Sequence, residues 1–267
     1  MRENGMGKLQ KPITWVNLLL ERKDMKINKF IDHTVLAQDA DEKKIEKLLE
    51  EAKEHDFASV CVNTCWTRKC VEALKDTDVN VCVVVGFPLG AMDTRSKAFE
   101  AKTAVEDGAD EVDMVINVGW LKSGRYDDTE EDIREVKKAC GDKHLKVILE
   151  TGLLKTAENI WKASILSMAA GCDFIKTSTG KIAVNATPEA TFIMCHAIKA
   201  WREKTGIKMG YKPAGGVSTT EEAVQHYTLV KEILGEEWLN NESFRFGASR
   251  LANNLLSSIV GKETKYF

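Results

Sequence analysis

A chain of 267 residues and 29.8 kDa has room for two ordinary domains of ~150 residues or for one large α/β barrel of roughly 250. Hydrophobic residues at 43%, charged residues at 30% and only 4 Pro exclude collagen, low-complexity disorder and a membrane bundle. With 38 Lys plus Arg against 41 Asp plus Glu, a net charge of −3, there is no cationic surplus to neutralise a nucleic-acid backbone, so nucleic acid is not an expected partner; a small anionic substrate needs only a local pocket.

In chain order, the first feature is Ile13 to Leu20 (ITWVNLLL), a short apolar stretch followed by Glu21-Arg22-Lys23-Asp24 without a small-residue cleavage site. It reads as an amphipathic helix in an N-terminal extension, residues 1–28, and not as a signal or membrane segment. From Lys29 a strand-then-helix alternation sets in and defines the expected catalytic unit, residues 29–267. Its apolar runs end at Asp32 (KFID), around Cys61 (FASVCV), and at Phe87 (NVCVVVGF), Asn117 (DEVDMVIN), Glu150 (LKVILE), Lys176 (CDFIK), Lys212 (KMGYK) and Ser249 (FRFGAS), eight in all.

The intervening segments carry helix marks. After the first run, Ile45, Leu48, Leu49 and Ala52 form one buried stripe behind a predicted Asp39…Glu42 capping box. After the sixth, Thr187-Pro188 supplies an N-cap and N1 proline ahead of Ile193, Ala197, Ala200 and Trp201. After the seventh, Thr219 and Glu222 predict a capping box before Ala223, Tyr227, Val230 and Leu234. Runs such as VCVVVGF suit strands buried on both faces, as parallel sheets under helices require. Eight units without a Pro/Gly-rich linker predict a single α/β (β/α)8 TIM barrel; an open sheet in two domains is the alternative. Seven cysteines, odd in number and without a C-x-x-C pair, fit reduced thiols in a cytoplasmic protein and no metal cluster.

In such a barrel the chemistry sits at the carboxyl ends of the strands. The candidates are therefore Asp32, Cys61, Asn63, Asn117, Glu150, Lys176 and Lys212, with Asp113 one layer deeper. Two lysines on consecutive strands, facing one cavity, make it costly to keep both charged, and a neutral amine attacks carbonyls. Ion-paired structural lysines, with Glu150 and Asp113 as partners, are the competing reading. Asp113 likewise fits either a salt bridge or a proton relay. Gly215-Gly216 and Phe246-Gly247-Ala248-Ser249, with Gly180, fall where barrels bind phosphate through backbone N–H groups.

FIKTSTGK (Phe174 to Lys181), GYKPAGGVS (Gly210 to Ser218), FRFGAS, DEVDMVINVG (Asp110 to Gly119), VGFPLG (Val85 to Gly90) and IDHTVL (Ile31 to Leu36) together resemble the deoxyribose-phosphate aldolase family, from about Asp32 to Ser249. The resemblance implies a metal-free lyase that needs no cofactor and reversibly cleaves 2-deoxy-D-ribose 5-phosphate to D-glyceraldehyde 3-phosphate and acetaldehyde in deoxyribonucleoside catabolism. It implies Lys176 as the imine-forming lysine, Lys212 as the neighbour that eases loss of its proton, and Asp113, with a bound water, in proton relay. Gly180, Gly215, Gly216, Gly247 and Ser249 would hold the phosphate; Asp32, Thr34 and Cys61 would line the cavity. Family behaviour also implies a homo-oligomer, dimer or tetramer, with no membrane partner.

Where many relatives of the resembled family carry a basic residue after AGGV, this chain has Ser218; Arg250, at the start of the last helix, either supplies that charge or is a solvated surface arginine. His33 and the terminal Tyr266-Phe267 are weaker candidates for the cavity wall and mouth. Other phosphosugar barrel enzymes and a silent sugar-phosphate-binding relative remain alternatives at this point.

Overall fold

The computed structural model describes residues 27–248 together with Leu251 and Asn254. The apolar runs form strands β1 Ile31–Val35, β2 Ser59–Asn63, β3 Asn80–Val85, β4 Glu111–Val115, β5 His144–Ile148, β6 Phe174–Lys176, β7 Gly210–Lys212 and β8 Phe246–Ala248. They pair in the order β7-β6-β5-β4-β3-β2-β1-β8, every pair parallel. Bridges Tyr211–Phe244 and Ala214–Gly247 complete the circuit from β7 to β8. The sheet is thus an eight-stranded barrel and not an open two-domain sheet.

Between the strands lie α1 Glu42–Glu54, α2 Thr67–Leu74, α3 Thr94–Glu106, α4 Val118–Lys122, α5 Tyr126–Cys140, α6 Thr151–Leu154, α7 Ala157–Ala169, α8 Pro188–Thr205 and α9 Thr220–Leu234. α1 buries Ile45, Leu48, Leu49 and Ala52, but its N-cap is Asp41, whose side chain accepts from Lys44 N. The expected Asp39…Glu42 box does not form because the helix begins at Glu42. α9 has the Thr219/Glu222 capping box and buries the predicted stripe. α8 starts at Thr187-Pro188 as expected yet buries Ala190, Thr191, Met194, Cys195, Ala197 and Ile198. Of its predicted stripe only Ala197 is fully covered, because the helix is rotated to bury its small residues.

The alternation of strand side chains sorts the molecule into two environments. Val60, Val62, Val81, Val83, Val112, Met114, Leu145, Val147 and Ile175 belong to the main apolar cluster beneath the helices. Each such residue contributes ~1.5–3 kcal/mol on burial, so the outward face supplies the drive for closure. Inside, the only apolar cluster among the described residues is small: Cys61, Cys82 and Val84, with Leu36 and Phe87 against it. Most TIM-barrel interiors are filled with branched apolar side chains; this one buries seven charged groups, Asp32, Glu111, Asp113, Lys146, Lys176, Lys212 and Arg245.

Several strands stop short of the predicted run ends. β3 ends at Val85, before Gly86 at φ +61, and β5 ends at Ile148, before Glu150 at φ +55. The N-terminal extension, Ser249, Arg250 and Tyr266-Phe267 lie outside the described residues, apart from Ile27 and Asn28 in a short 3-10 turn. No helix among the described residues is long and apolar enough to cross a membrane.

Candidate active site

Three carboxylates, Asp32, Glu111 and Asp113, and four cations, Lys146, Lys176, Lys212 and Arg245, meet inside the barrel, each at most 3% exposed. Asp113 is the hub. Its Oδ2 accepts from Lys176 Nζ at 2.7 Å and from Lys212 Nζ at 2.9 Å. Its Oδ1 accepts from Lys146 Nζ at 3.0 Å and from the Cys82 thiol at 3.1 Å. Lys212 also pairs with Asp32 Oδ2 at 2.5 Å. Arg245 spans Asp32 at 2.7 Å and Glu111 at 3.2 Å, and Lys146 also holds Glu111.

Two consequences follow from this connectivity. Lys146, Lys212 and Arg245 each touch two carboxylates, whereas Lys176 touches one among the described residues. With four cations to three anions, the cluster has one positive charge too many for a buried site, and Lys176 gives up the fewest contacts on becoming neutral. Burial pushes the Asp113 carboxyl up, but Lys146, Lys176 and Lys212 outweigh it and hold it well below the usual carboxylate range. Asp32 is held low in the same way by Lys212 and Arg245. Burial works against the Lys212 and Lys146 ammoniums, yet Asp113 and the other nearby anions keep both protonated far above the ordinary lysine value.

The loops after the strands brace this floor. Thr177 Oγ1 donates to Ala214 O at 3.0 Å and accepts from Ala214 N at 2.9 Å, locking the β6 end to the β7 end. The structural-pair reading holds for Asp113 but not for Glu150, which forms no ion pair with a lysine among the described residues; it accepts from Thr179 N at 3.2 Å and Thr179 Oγ1 at 2.5 Å and so fixes the turn of KTSTGK. Gly247 is required for contact reasons: a Cβ there would stand 2.8 Å from Ala214 Cβ and 3.0 Å from Lys212 Cε. Gly215, at φ +80, would press a Cβ into Asn185 at 2.8 Å.

Above the floor opens a cavity of about 520 Å³, walled by Thr34 to Ala37, Ser178 to Lys181, Ala214 to Ser218 and Gly247-Ala248. Among the described residues its lining includes three lysines, Lys44, Lys176 and Lys181, and no carboxylate. Of the four interior cations only Lys176 reaches it, among the described residues. Small residues and glycines leave the far wall open to a bulky anion.

Of the candidates named from sequence, Lys176, Lys212, Asp113 and Asp32 share the charge cluster, while Thr34, Gly180, Gly215, Gly216 and Gly247 line the cavity. Cys61 lies inside the barrel beneath it, beside Cys82. Two of the expected backbone donors are already committed: Gly180 N–H donates to Asn185 Oδ1 at 3.0 Å and Gly247 N–H to Pro213 O at 3.0 Å. His33 turns away from the cavity; its Nε2 meets Glu51 Oε2 of α1 at 2.6 Å. Sequence reasoning missed Lys146, Glu111, Arg245, Lys44 and Lys181. A period-two count from Asp113 back to Glu111, and from Glu150 back through Ile148 to Lys146, would have exposed the first two.

Fold and site together define a barrel enzyme with an amine and a carboxylate at the floor of a cationic pocket. Residues 26–234 match the family model described as DeoC/LacD family aldolase. A curated deoxyribose-phosphate aldolase of Streptococcus uberis is 48% identical over 227 residues, covering 84% of this chain and all of that protein. One from Clostridium botulinum is 50% identical over 225 residues, covering 84% of this chain and 97% of that protein. Among solved structures, the tetrameric deoxyribose phosphate aldolase of Aeropyrum pernix superposes with a TM-score of 0.70 at 26% identity, over 86% of this chain and 90% of that one. This chain belongs to the DeoC/LacD family of aldolases.

Proposed function

We propose that the protein reversibly cleaves 2-deoxy-D-ribose 5-phosphate to D-glyceraldehyde 3-phosphate and acetaldehyde through an imine on Lys176, residues 29–267 acting as one catalytic unit. The observation that carries this reading is the position of Lys176: it is the one interior cation, among the described residues, that both opens onto the cavity and has a single carboxylate partner. The identities near 50% to curated aldolases support the substrate.

The neutral Lys176 amine adds to the C1 aldehyde of the open-chain sugar, a proton delivered through Asp113 and its water lets the hydroxyl leave as water, and a cationic imine forms. Loss of the C3 hydroxyl proton then breaks the C2–C3 bond, the cleavage that leaves two carbons as acetaldehyde. The bond's electron pair flows into the imine and gives an enamine, and glyceraldehyde 3-phosphate departs. Protonation of the enamine at C2 and addition of water release acetaldehyde and restore the amine. Asp113, with a water, passes the proton; because its carboxyl is held so low, it carries that proton only in transit, and Lys212 remains the fixed positive charge beside it. The phosphate occupies the Gly215-Gly216 wall of the cavity that Lys181 also lines; Ser249, the further contact expected from sequence, lies outside the described residues. Binding of that unreacting group orients the aldehyde for attack. No metal or cofactor has a role in this scheme.

We assign the enzyme to the cytoplasm, where its cysteines, all free, stay reduced. We also assign it a homo-oligomeric state, dimer or tetramer, by analogy with the tetrameric relative. Borohydride reduction in the presence of acetaldehyde tests the chemistry: a two-carbon adduct on Lys176, absent in Lys176→Ala, is expected. An unmodified Lys176 under those conditions refutes the imine.

A further inference from the structure

A doubly charged phosphate in this cavity needs positive charge, and the wall nominated for it supplies less than its glycines suggest. The N–H of Gly180 is taken by Asn185 and that of Gly247 by Pro213. Ser218, on the same wall of the cavity, is also committed. Its N–H and hydroxyl donate to Glu222 Oε2 at 2.8 and 3.3 Å, and Thr219 N–H donates to the same oxygen at 3.0 Å. The start of α9 is therefore already capped by an internal carboxylate, held low by those donors, and is the wrong sign for a second anion.

We infer that Lys44, the third residue of α1, is the cation that selects the phosphorylated sugar. It lines the cavity across from Lys181, on the β1 side of the same opening. Side chains in an α-helix lean toward its N-terminus, so a lysine in the first turn extends beyond the helix end. A lysine there opposes the helix dipole, a local disadvantage that an anion bound in the cavity would offset. Its one ion-pair partner among the described residues, Asp39, is 3.4 Å away and 78% exposed, while the Lys44 side chain is itself 49% exposed. Such a pair is weak and exchanges readily for a phosphate oxygen. Lys44 and Lys181 then close on the phosphate from opposite walls, and Asp39 is the resting counter-ion that Lys44 leaves when substrate enters.

This inference rests on the aldolase reading, and the test separates the two. Retro-aldol rates are measured with 2-deoxyribose 5-phosphate and with unphosphorylated 2-deoxyribose for wild type, Lys44→Gln, Lys44→Arg and Asp39→Asn. Lys44→Gln is expected to raise KM for the phosphorylated sugar roughly tenfold with kcat little changed, lowering the ratio of the two kcat/KM values by the same factor. Lys44→Arg restores most of the ratio, and Asp39→Asn lowers KM for the phosphorylated sugar. A structural fault would reduce both substrates alike, so an unchanged ratio in Lys44→Gln overturns the role of Lys44. Failure of the wild type to cleave 2-deoxyribose 5-phosphate overturns the aldolase reading and this inference with it.

Discussion

Replacing Lys212 by Met removes one of the four cations that surround three carboxylates and leaves three against three. Lys176 and Lys212 donate to the same Asp113 oxygen at 2.7 and 2.9 Å, so their nitrogens are at most about 5.6 Å apart. At an effective dielectric constant of ~20, two unit charges at that separation repel by ~3 kcal/mol, roughly a hundredfold in an equilibrium. The expected outcome is that borohydride trapping of acetaldehyde on Lys176 at pH 7 slows roughly a hundredfold in Lys212→Met. Taking one partner from a buried ion cluster costs about 3–5 kcal/mol of stability, so the rate is expressed per folded molecule, with the folded fraction measured by circular dichroism. Trapping at the wild-type rate per folded molecule would refute the electrostatic account and leave Lys212 with a different part in the reaction.

Gly247→Ala is expected to abolish most aldolase activity, because the new Cβ would press on Ala214 and the Lys212 stem at 2.8 and 3.0 Å; full activity in that variant would show that Lys212 has slack. His226, buried with its Nδ1 2.6 Å from Thr191 Oγ1, is pushed by burial from 6.5 down to about 4. The unfolded chain therefore binds the proton more tightly. The stability involved is fully present above pH ~6.5 and is lost as pH falls toward 4, by up to ~3 kcal/mol. Denaturant titrations of wild type and His226→Gln should show a flatter acid limb in the variant, and parallel limbs would disprove the assignment.

The fold was legible because its signals are local. An uninterrupted run such as Val81 to Val85, or the Thr219/Glu222 box before Ala223, Tyr227, Val230 and Leu234, needs no knowledge of the partner segment. The stripe of α8 was misread because Ala190, Met194 and Cys195 compete with Ile193 and Trp201, and the choice depends on which neighbours pack there. At the site, Lys176, Lys212 and Asp113 announce themselves as polar residues in apolar runs. Lys146 does not, since LKVILE directs attention to its terminal Glu150, and Arg245 precedes the apolar part of its run. Their importance comes from barrel closure, which brings Arg245 to Asp32 across 213 positions of sequence. The commitment of Ser218 to Glu222 is equally invisible, because one carboxylate serves both the helix cap and the residue before it.

The pairing of Arg245 with Asp32 also bears on synthesis. While the ribosome is still making the second half of the chain, Asp32 on β1 waits for both its partners, Lys212 and Arg245, and Glu111 and Asp113 on β4 have at most Lys146 and Lys176 from their final set. Shutting those groups away from water at that stage would leave bare negative charge in a dry interior, so early collapse of a partial ring is disfavoured. The last-made segment acts as the keystone: fragments that omit β8 should remain open and unproductive, and supplying the missing piece as a separate peptide is the natural complementation experiment.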